Sequence, residues 1–318
     1  MPSVNQINGE QFKKKSVVFI WSAFRLLLLI GISYVILYPI LVKFSLIFMD
    51  QIDINDVTVK WVPRNLTLDN LKIVMATMNY LPVVLKSGLI SFAVAGLQAA
   101  ACTLGAYGFA RFKFKGRNLL FGLVIATLVI PPQTYVITLY TQFQFFDIFG
   151  IYHLITGERG INLLNGVMPF LLLAATGMGI RCGLYVYIIR QSFRALPNEL
   201  EEAAIVDGAG TFKTFFRIML PNVIPTVLVS FILSFVWQWN DTFFVNIFAS
   251  DLNVISQALQ KLGFSITSYL GGWQHIRGVY TSVLLNTGAL LTMLPLLLLY
   301  VVCQKFFVES VERAGLVG

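Results

Sequence analysis

The residues whose types and spacing could do chemistry cluster in one polar island, 199–221, which reads ELEEAAIVDGAGTFKTFFRIMLP. Four of the chain's 15 acidic residues, Glu199, Glu201, Glu202 and Asp207, fall within nine positions there. No nucleophile–base or metal constellation accompanies them, so nothing in the sequence supports a membrane-embedded enzyme. Carboxylates so arranged suit recognition of a partner. Gly208-Ala-Gly-Thr-Phe-Lys213 is rich in glycine but has none directly before its lysine, so it is not a phosphate-cradling loop. Cys102, Cys182 and Cys303 are widely spaced in apolar runs, and His153 and His275 stand alone, which excludes a disulfide framework and a metal centre. Two further sets invite a role in passage of a solute. Trp237, Gln238, Trp239, Asn240 and Asp241 combine aromatic faces with hydrogen-bonding groups, as a sugar site requires, although Trp237 and Trp239 equally suit an interfacial aromatic belt. Arg181 lies inside an apolar run, where a charge is costly and faces a cavity or a partner, or snorkels to an interface.

The elements that must hold these residues are membrane spans. The 318 residues are 57% hydrophobic and 12% charged, about half the charged share of a soluble domain. Mean hydropathy is +0.77, and the apolar runs approach the ~20 residues that cross a bilayer as a helix. The expected fold is therefore all-α and polytopic, with six transmembrane helices at 26–45, 83–110, 119–140, 163–189, 222–245 and 278–302. The net charge of +8 reports topology rather than nucleic acid, because thirteen of the 23 Lys and Arg lie in segments placed inside the cell. Both termini and the loop 196–221 are then cytoplasmic, and 50–82, 141–162 and 246–277 are external. Residues 1–25 form an N-terminal segment in which 12–24 lies along the interface. Residues 26–305 form the transmembrane domain and 306–318 the C-terminal tail. The first apolar region is too long for a signal peptide and lacks a small-residue cleavage site. The second span is rich in Gly, Ala and Ser, which lets helices approach closely. Pro131-Pro132 is expected to kink the third, and the fourth carries Arg181 well short of either end.

The island reads as helix–turn–helix. Pro197 suits a first helical turn, and the acids after it sit at the positive end of the helix dipole. Leu200, Ala203, Ala204 and Asp207 share a face, shallow enough for another protein to approach closely. Gly208 and Gly210 terminate the helix, and Thr211 caps a second. On that helix Phe212, Phe215, Phe216 and Met219 form an apolar stripe, which Pro221 is expected to end before the fifth span. A solvated loop with an interfacial helix would share these features.

The order of residues is more specific. Glu202-Ala203-Ala204, three residues, Gly208, nine residues, then Ile218, Leu220 and Pro221 resembles the loop of binding-protein-dependent ABC importer permeases. The likeness extends over about 66–318. AYGFARFKFKGR at 106–117 resembles the second-span exit of carbohydrate-class permeases, Ile130-Pro131-Pro132 their third-span proline, and Trp239-Asn240-Asp241 the end of their fifth span. The smaller permease subunit of maltose-type transporters is the nearest analogue, although Ala314-Gly315-Leu316-Val317-Gly318 departs from its Gly-rich tail. The resemblance implies a type I permease fold and a coupling helix that docks on a cytoplasmic ABC ATPase dimer. It assigns that contact to Glu201, Glu202, Ala203, Ala204, Asp207, Gly208, Ile218, Leu220 and Pro221. It also implies a second, homologous permease, an extracytoplasmic solute-binding protein facing 246–277, and a bacterial or archaeal cytoplasmic membrane. ATP and Mg would be bound by the partner ATPase, leaving this chain without a cofactor and without enzyme activity. The cargo implied is a sugar or oligosaccharide. Glycerol phosphate or another solute is the alternative, as is an ion-driven secondary transporter, for which Asp241 is the one candidate carboxylate.

Overall fold

A computed structural model describes the backbone of residues 4–270 and 278–315 and the side chains of 19–270 and 278–305. The described residues are helical, with two isolated bridges, Met49–Leu66 and Phe146–Ile161, in place of strands. Among the described residues four helices are long and apolar enough to cross a membrane: Phe19–Ile47, Tyr80–Arg111, Thr211–Trp239 and Gly278–Lys305. The other two expected spans, 119–140 and 163–189, are each interrupted. The helices that matter below are α1 (Val4–Ile47), α2 (Tyr80–Arg111), α3 (Arg117–Ala126), α4 (Val136–Gln144), α5 (Met168–Ala175), α6 (Cys182–Ala195), α7 (Glu199–Val206), α8 (Thr211–Trp239), α9 (Phe243–Phe248), α10 (Ile255–Tyr269) and α11 (Gly278–Gly315).

The chain divides into two compact units, Met1–Val74 with Ile266–Leu290, and Met75–Ser265 with Leu291–Gly318. In the first, α1 is one uninterrupted helix, so no break sets 12–24 apart as an interfacial element. Beyond it, buried Asn70 donates to the Ile47 and Met49 carbonyls at 2.9 and 2.8 Å, satisfying groups that a helix end leaves free. Buried Asp53 accepts from the Asn65 backbone and side-chain amides at 2.7 and 3.0 Å.

In the second unit α2 is the central helix, packed by α5, α6 and α8. Its first half joins α4, α5 and α9 in a core of Ile90, Val94, Val136, Phe143, Phe170 and Phe248. Its second half joins α6 and α8 in a core of Ala106, Tyr107, Tyr185, Ile189, Phe193 and Met219. Gln98, 1% exposed, lies on α2 between the two.

The two interruptions are adjacent, and both are chemically satisfied. After α3 the chain runs through Pro131 into a single turn, Pro132–Thr134, before α4, so the proline pair breaks the helix where a kink was expected. Thr127 Oγ1 donates to Val124 O at 2.6 Å and Thr134 Oγ1 to Pro131 O at 2.7 Å, occupying freed carbonyls as a lipid setting demands. The fourth expected span breaks between α5 and α6, with Gly177 at φ 71° and Arg181 at φ 62°. Gln98 reaches across from α2: its Nε2 donates to Ile180 O at 2.6 Å and lies 3.0 Å from Cys182 Sγ, while its Oε1 accepts from Ser234 of α8 at 2.7 Å.

Gly183, just past this break, lets α6 approach the end of α3. A Cβ there would lie 2.6 Å from Val124 O and 2.8 Å from Thr127 Oγ1. Because the first of these is backbone, Gly183→Leu should force the helices apart at a cost of about 1–3 kcal/mol. The check is a lowered melting midpoint of the detergent-solubilised protein.

The helix of the sixth span runs past its expected end, since α11 continues helical through Gly315 into the expected tail. Side chains 306–318, the backbone of 316–318, and Gly271 and Gly272 of the loop 246–277 lie outside the described residues. The loop before them holds the amphipathic α10, in which Ile255, Ala258, Leu262 and Ile266 are buried.

Candidate functional site

The helix–turn–helix of the polar island is present, and its details sort the sequence candidates. Leu196 is extended ahead of Pro197, as a residue preceding proline must be, and Asn198 holds the N-cap position of α7. Pro197 therefore precedes the helix instead of sitting in its first turn. At the far end Gly208 takes φ 73°, and the amides of Gly208 and Ala209 return to Ile205 O and Ala204 O at 3.0 and 2.9 Å. That is the left-handed closure expected of this glycine. Gly210, not Thr211, holds the cap position of the second helix, and its carbonyl accepts from the Thr214 amide at 3.0 Å.

Pro221 does not end that helix. Thr211 to Trp239 is continuous because Phe215–Met219 forms a π-turn, in which the Leu220 amide bonds to Phe215 O, five residues back. In an α-helix the Pro221 ring would strike the carbonyl four residues earlier. One extra residue in the turn shifts the ladder and relieves that clash.

The two faces of the loop are not those the periodicity suggested. Ala204 is 3% exposed and Glu201 half-buried, so they turn inward, while Glu202, Ala203 and Asp207 are exposed. The stripe also divides. Phe215 and Met219 are buried, whereas Phe212 is 80% and Phe216 56% exposed. Ile218 and Leu220 lie against the core, and Pro221 is exposed. The outward surface thus consists of Glu202 and Asp207 with Ile205, Val206 at 86% exposure, and Phe212. Sequence reasoning missed Ile205 and Val206, although two apolar residues directly before Asp-Gly at a helix end were the available signal.

The inward side is tied to α2. Tyr107 Oη donates to Glu201 Oε1 at 3.0 Å, and its ring packs 4.8 Å from Phe215 and 5.3 Å from Phe193. Arg111 donates to Phe193 O and Leu196 O, both at 2.7 Å, and to Asn198 Oδ1. In return, Arg190 of α6 donates to Phe109 O of α2 at 3.2 Å and stacks 3.9 Å over the Phe121 ring. These arginines cross-brace α2 and α6, and neither was singled out as a contact from sequence.

The candidates for a solute path separate. Arg181 lies with its guanidinium 4.7 Å over the Trp237 ring, and both residues are exposed. Among the described residues no carboxylate is within ion-pair distance of Arg181. Asn240 is also exposed, closing α8 by donating to Val236 O at 2.8 Å. Gln238, Trp239 and Asp241 are buried, so an open surface formed by all of 237–241 is not present. Trp239 is packed, with its Nε1 donating to Thr292 O at 3.3 Å, and so belongs to no interfacial belt. Asp241 Oδ1 accepts from the Phe244 amide at 3.1 Å and Ser256 donates to the Asp241 carbonyl at 2.7 Å, a helix-capping role at the start of α9.

Fold and loop together define an integral membrane transport component, and comparison with known proteins agrees. The chain belongs to the family described as binding-protein-dependent transport system inner membrane component, whose model matches residues 94–313. Relatives include the melibiose/raffinose/stachyose import permease protein MelC of Bacillus subtilis, 30% identical over 68% of each chain. The sn-glycerol-3-phosphate transport system permease protein UgpE of Salmonella typhi is 25% identical over 89% of this chain and 93% of its own. The probable ABC transporter permease protein YurM of Bacillus subtilis is 28% identical over 67% of this chain, which spans 62% of YurM's length. A chain in the crystal structure of a bacterial ABC transporter involved in the import of the acidic polysaccharide alginate has the same fold, with a TM-score of 0.67. It is 16% identical, over 91% of this chain and 96% of that one.

Proposed function

We propose that this chain is a permease subunit of an ATP-driven importer, and that α7 with the start of α8 docks on a cytoplasmic ATPase dimer. The observation that carries this reading is the outward surface of the loop. It sets two carboxylates, Glu202 and Asp207, among the exposed apolar side chains Ile205, Val206 and Phe212, which leave water only against a partner. The docking residues in this reading are Glu202, Ala203, Asp207 and Gly208, with Ile218, Leu220 and Pro221 holding the helix that presents them. A second, homologous permease completes the path, and an extracytoplasmic binding protein delivers the solute. ATP and Mg belong to the ATPase. The loop and both termini then lie in the cytoplasm of a bacterial or archaeal cell. Uptake by reconstituted vesicles should require ATP on the loop side, and uptake driven by a proton gradient without ATP would replace this reading with a secondary transporter.

The cargo in this reading is a sugar or oligosaccharide, supported by the likeness to MelC and by exposed Trp237, an aromatic face for a sugar ring. Arg181, without a carboxylate partner among the described residues, favours a second reading in which the solute is anionic, as for UgpE. A charge-assisted hydrogen bond contributes about 1.5–3 kcal/mol. Arg181→Gln should therefore lower the uptake of an anionic solute by about tenfold or more. Unchanged uptake, measured at equal protein content, would remove Arg181 from the path.

A further inference from the structure

The four acids of the loop are not equivalent, and Glu201 is the one turned away from any docking partner. Its carboxylate is held by two side chains one turn apart on α2. Tyr107 donates to Oε1 at 3.0 Å. Arg111 faces Oε2 through its Nε at 3.8 Å, with side chains 7% exposed for the arginine and 20% for the glutamate. A charge-assisted N–H···O bond closes at about 2.7–2.9 Å, so this contact is about 1 Å open. The Arg111 Nε is buried without a hydrogen-bond partner, while both of its terminal nitrogens are engaged by α6 and the Asn198 side chain. Arg111 is thereby fixed against the end of α6 and the Asn198 cap of α7, and Glu201, held at its other oxygen by Tyr107, is the half of the pair left to close. A movement of α7 by about 1 Å toward α2 would seat the carboxylate on Nε and satisfy the orphaned donor.

We propose that Glu201, Arg111 and Tyr107 form an internal latch that passes movement of α7 into α2, with the Arg111–Glu201 bond made in one transport state and stretched in the other. This rests on the reading of α7 as the element that docks the ATPase. Glu201 is then a positioning residue that acts through α2 and touches neither ATPase nor solute. Because α2 also carries Gln98, the latch leads from the loop to the residue that braces the broken span between α5 and α6.

The test uses the full complex, purified with its ATPase and second permease and reconstituted in proteoliposomes. Hydrolysis of Mg-ATP is measured with and without saturating binding protein from the same cells. Glu201→Gln and Tyr107→Phe leave the Arg111 bonds to α6 intact, so they change the latch without stripping the caps of that helix. Both should keep ATPase recovery within about twofold of the unaltered complex. Glu201→Gln should cut the stimulation by binding protein about fivefold or more, and Tyr107→Phe should do so less. Combining them should be no worse than Glu201→Gln alone, since both act on one carboxylate. Undiminished stimulation in Glu201→Gln overturns the latch, and so do additive defects in the double variant. Loss of ATPase from Glu201→Gln overturns it as well, by making Glu201 a docking residue. Retention of ATPase by Glu202→Lys is a separate result, which removes the docking reading itself.

Discussion

Replacing Glu202 with lysine should strip the ATPase from the purified complex by tenfold or more while the permease stays in the membrane at its normal level. Glu202 is exposed, and among the described residues its side chain makes no ion pair that the substitution would break, while its amide bond to Asn198 O at 3.1 Å is independent of the side chain. The substitution therefore leaves the helix standing. Reversal of a charge that meets a partner's opposite charge in a contact closed off by apolar groups costs about 2–5 kcal/mol, more than a tenfold change needs. Glu202→Gln, which removes the charge without reversing it, should fall between. Co-purification of ATPase at the unaltered ratio with Glu202→Lys would sink the docking assignment. Gly208→Val is a useful companion, because at φ 73° a β-branched residue strains the turn while its Cβ meets nothing within 4 Å. Its expected effect comes from backbone geometry alone, at about 1–2 kcal/mol.

The second large effect concerns Gln98. Leucine there would fill nearly the same volume but leave Ile180 O and the Ser234 hydroxyl without the partners they now have. A buried polar group left unpaired costs about 1–3 kcal/mol, so Gln98→Leu should lower stability by about 2–4 kcal/mol. Ser234→Ala removes one end of the same network and should cost about 1 kcal/mol, since Gln98 keeps its bond to Ile180 O. Thermal unfolding in detergent distinguishes the two. Equal midpoints for the unaltered protein and Gln98→Leu would mean that the broken span does not depend on this amide.

What could be read from the sequence was decided by how much local chemistry each feature carries. The C-terminal limit of α2 was legible because a long apolar run ends there at the charge of Arg111. Gly208 was legible because a positive φ selects glycine so strongly. The interruption of 163–189 was not, since that stretch taken whole keeps the average hydropathy of a span, and the groups that satisfy the backbone at its break come from α2 and α8. Gly177 and Gly179 were the only local hint. The faces of α7 were misjudged for a related reason. Periodicity groups Ala203 with Ala204, but which of them turns inward is set by Tyr107 and Arg111, about ninety residues earlier in the chain. Pro221 was read by the rule for an α-helix, and the π-turn that accommodates it has no signal of its own in the sequence.

That π-turn has a consequence for the geometry of insertion and deletion. Phe215–Met219 holds one residue more than a regular helix would need, between the loop and a helix that runs on to Trp239. Removing one residue from it would leave a helix, yet would rotate everything before it by about 100° about the axis and draw it in by about 1.5 Å. Glu202 would then point along a different bearing from the same span. The compass direction of the loop is fixed by the parity of a single turn, so a change of length here should be far more damaging than most substitutions within it.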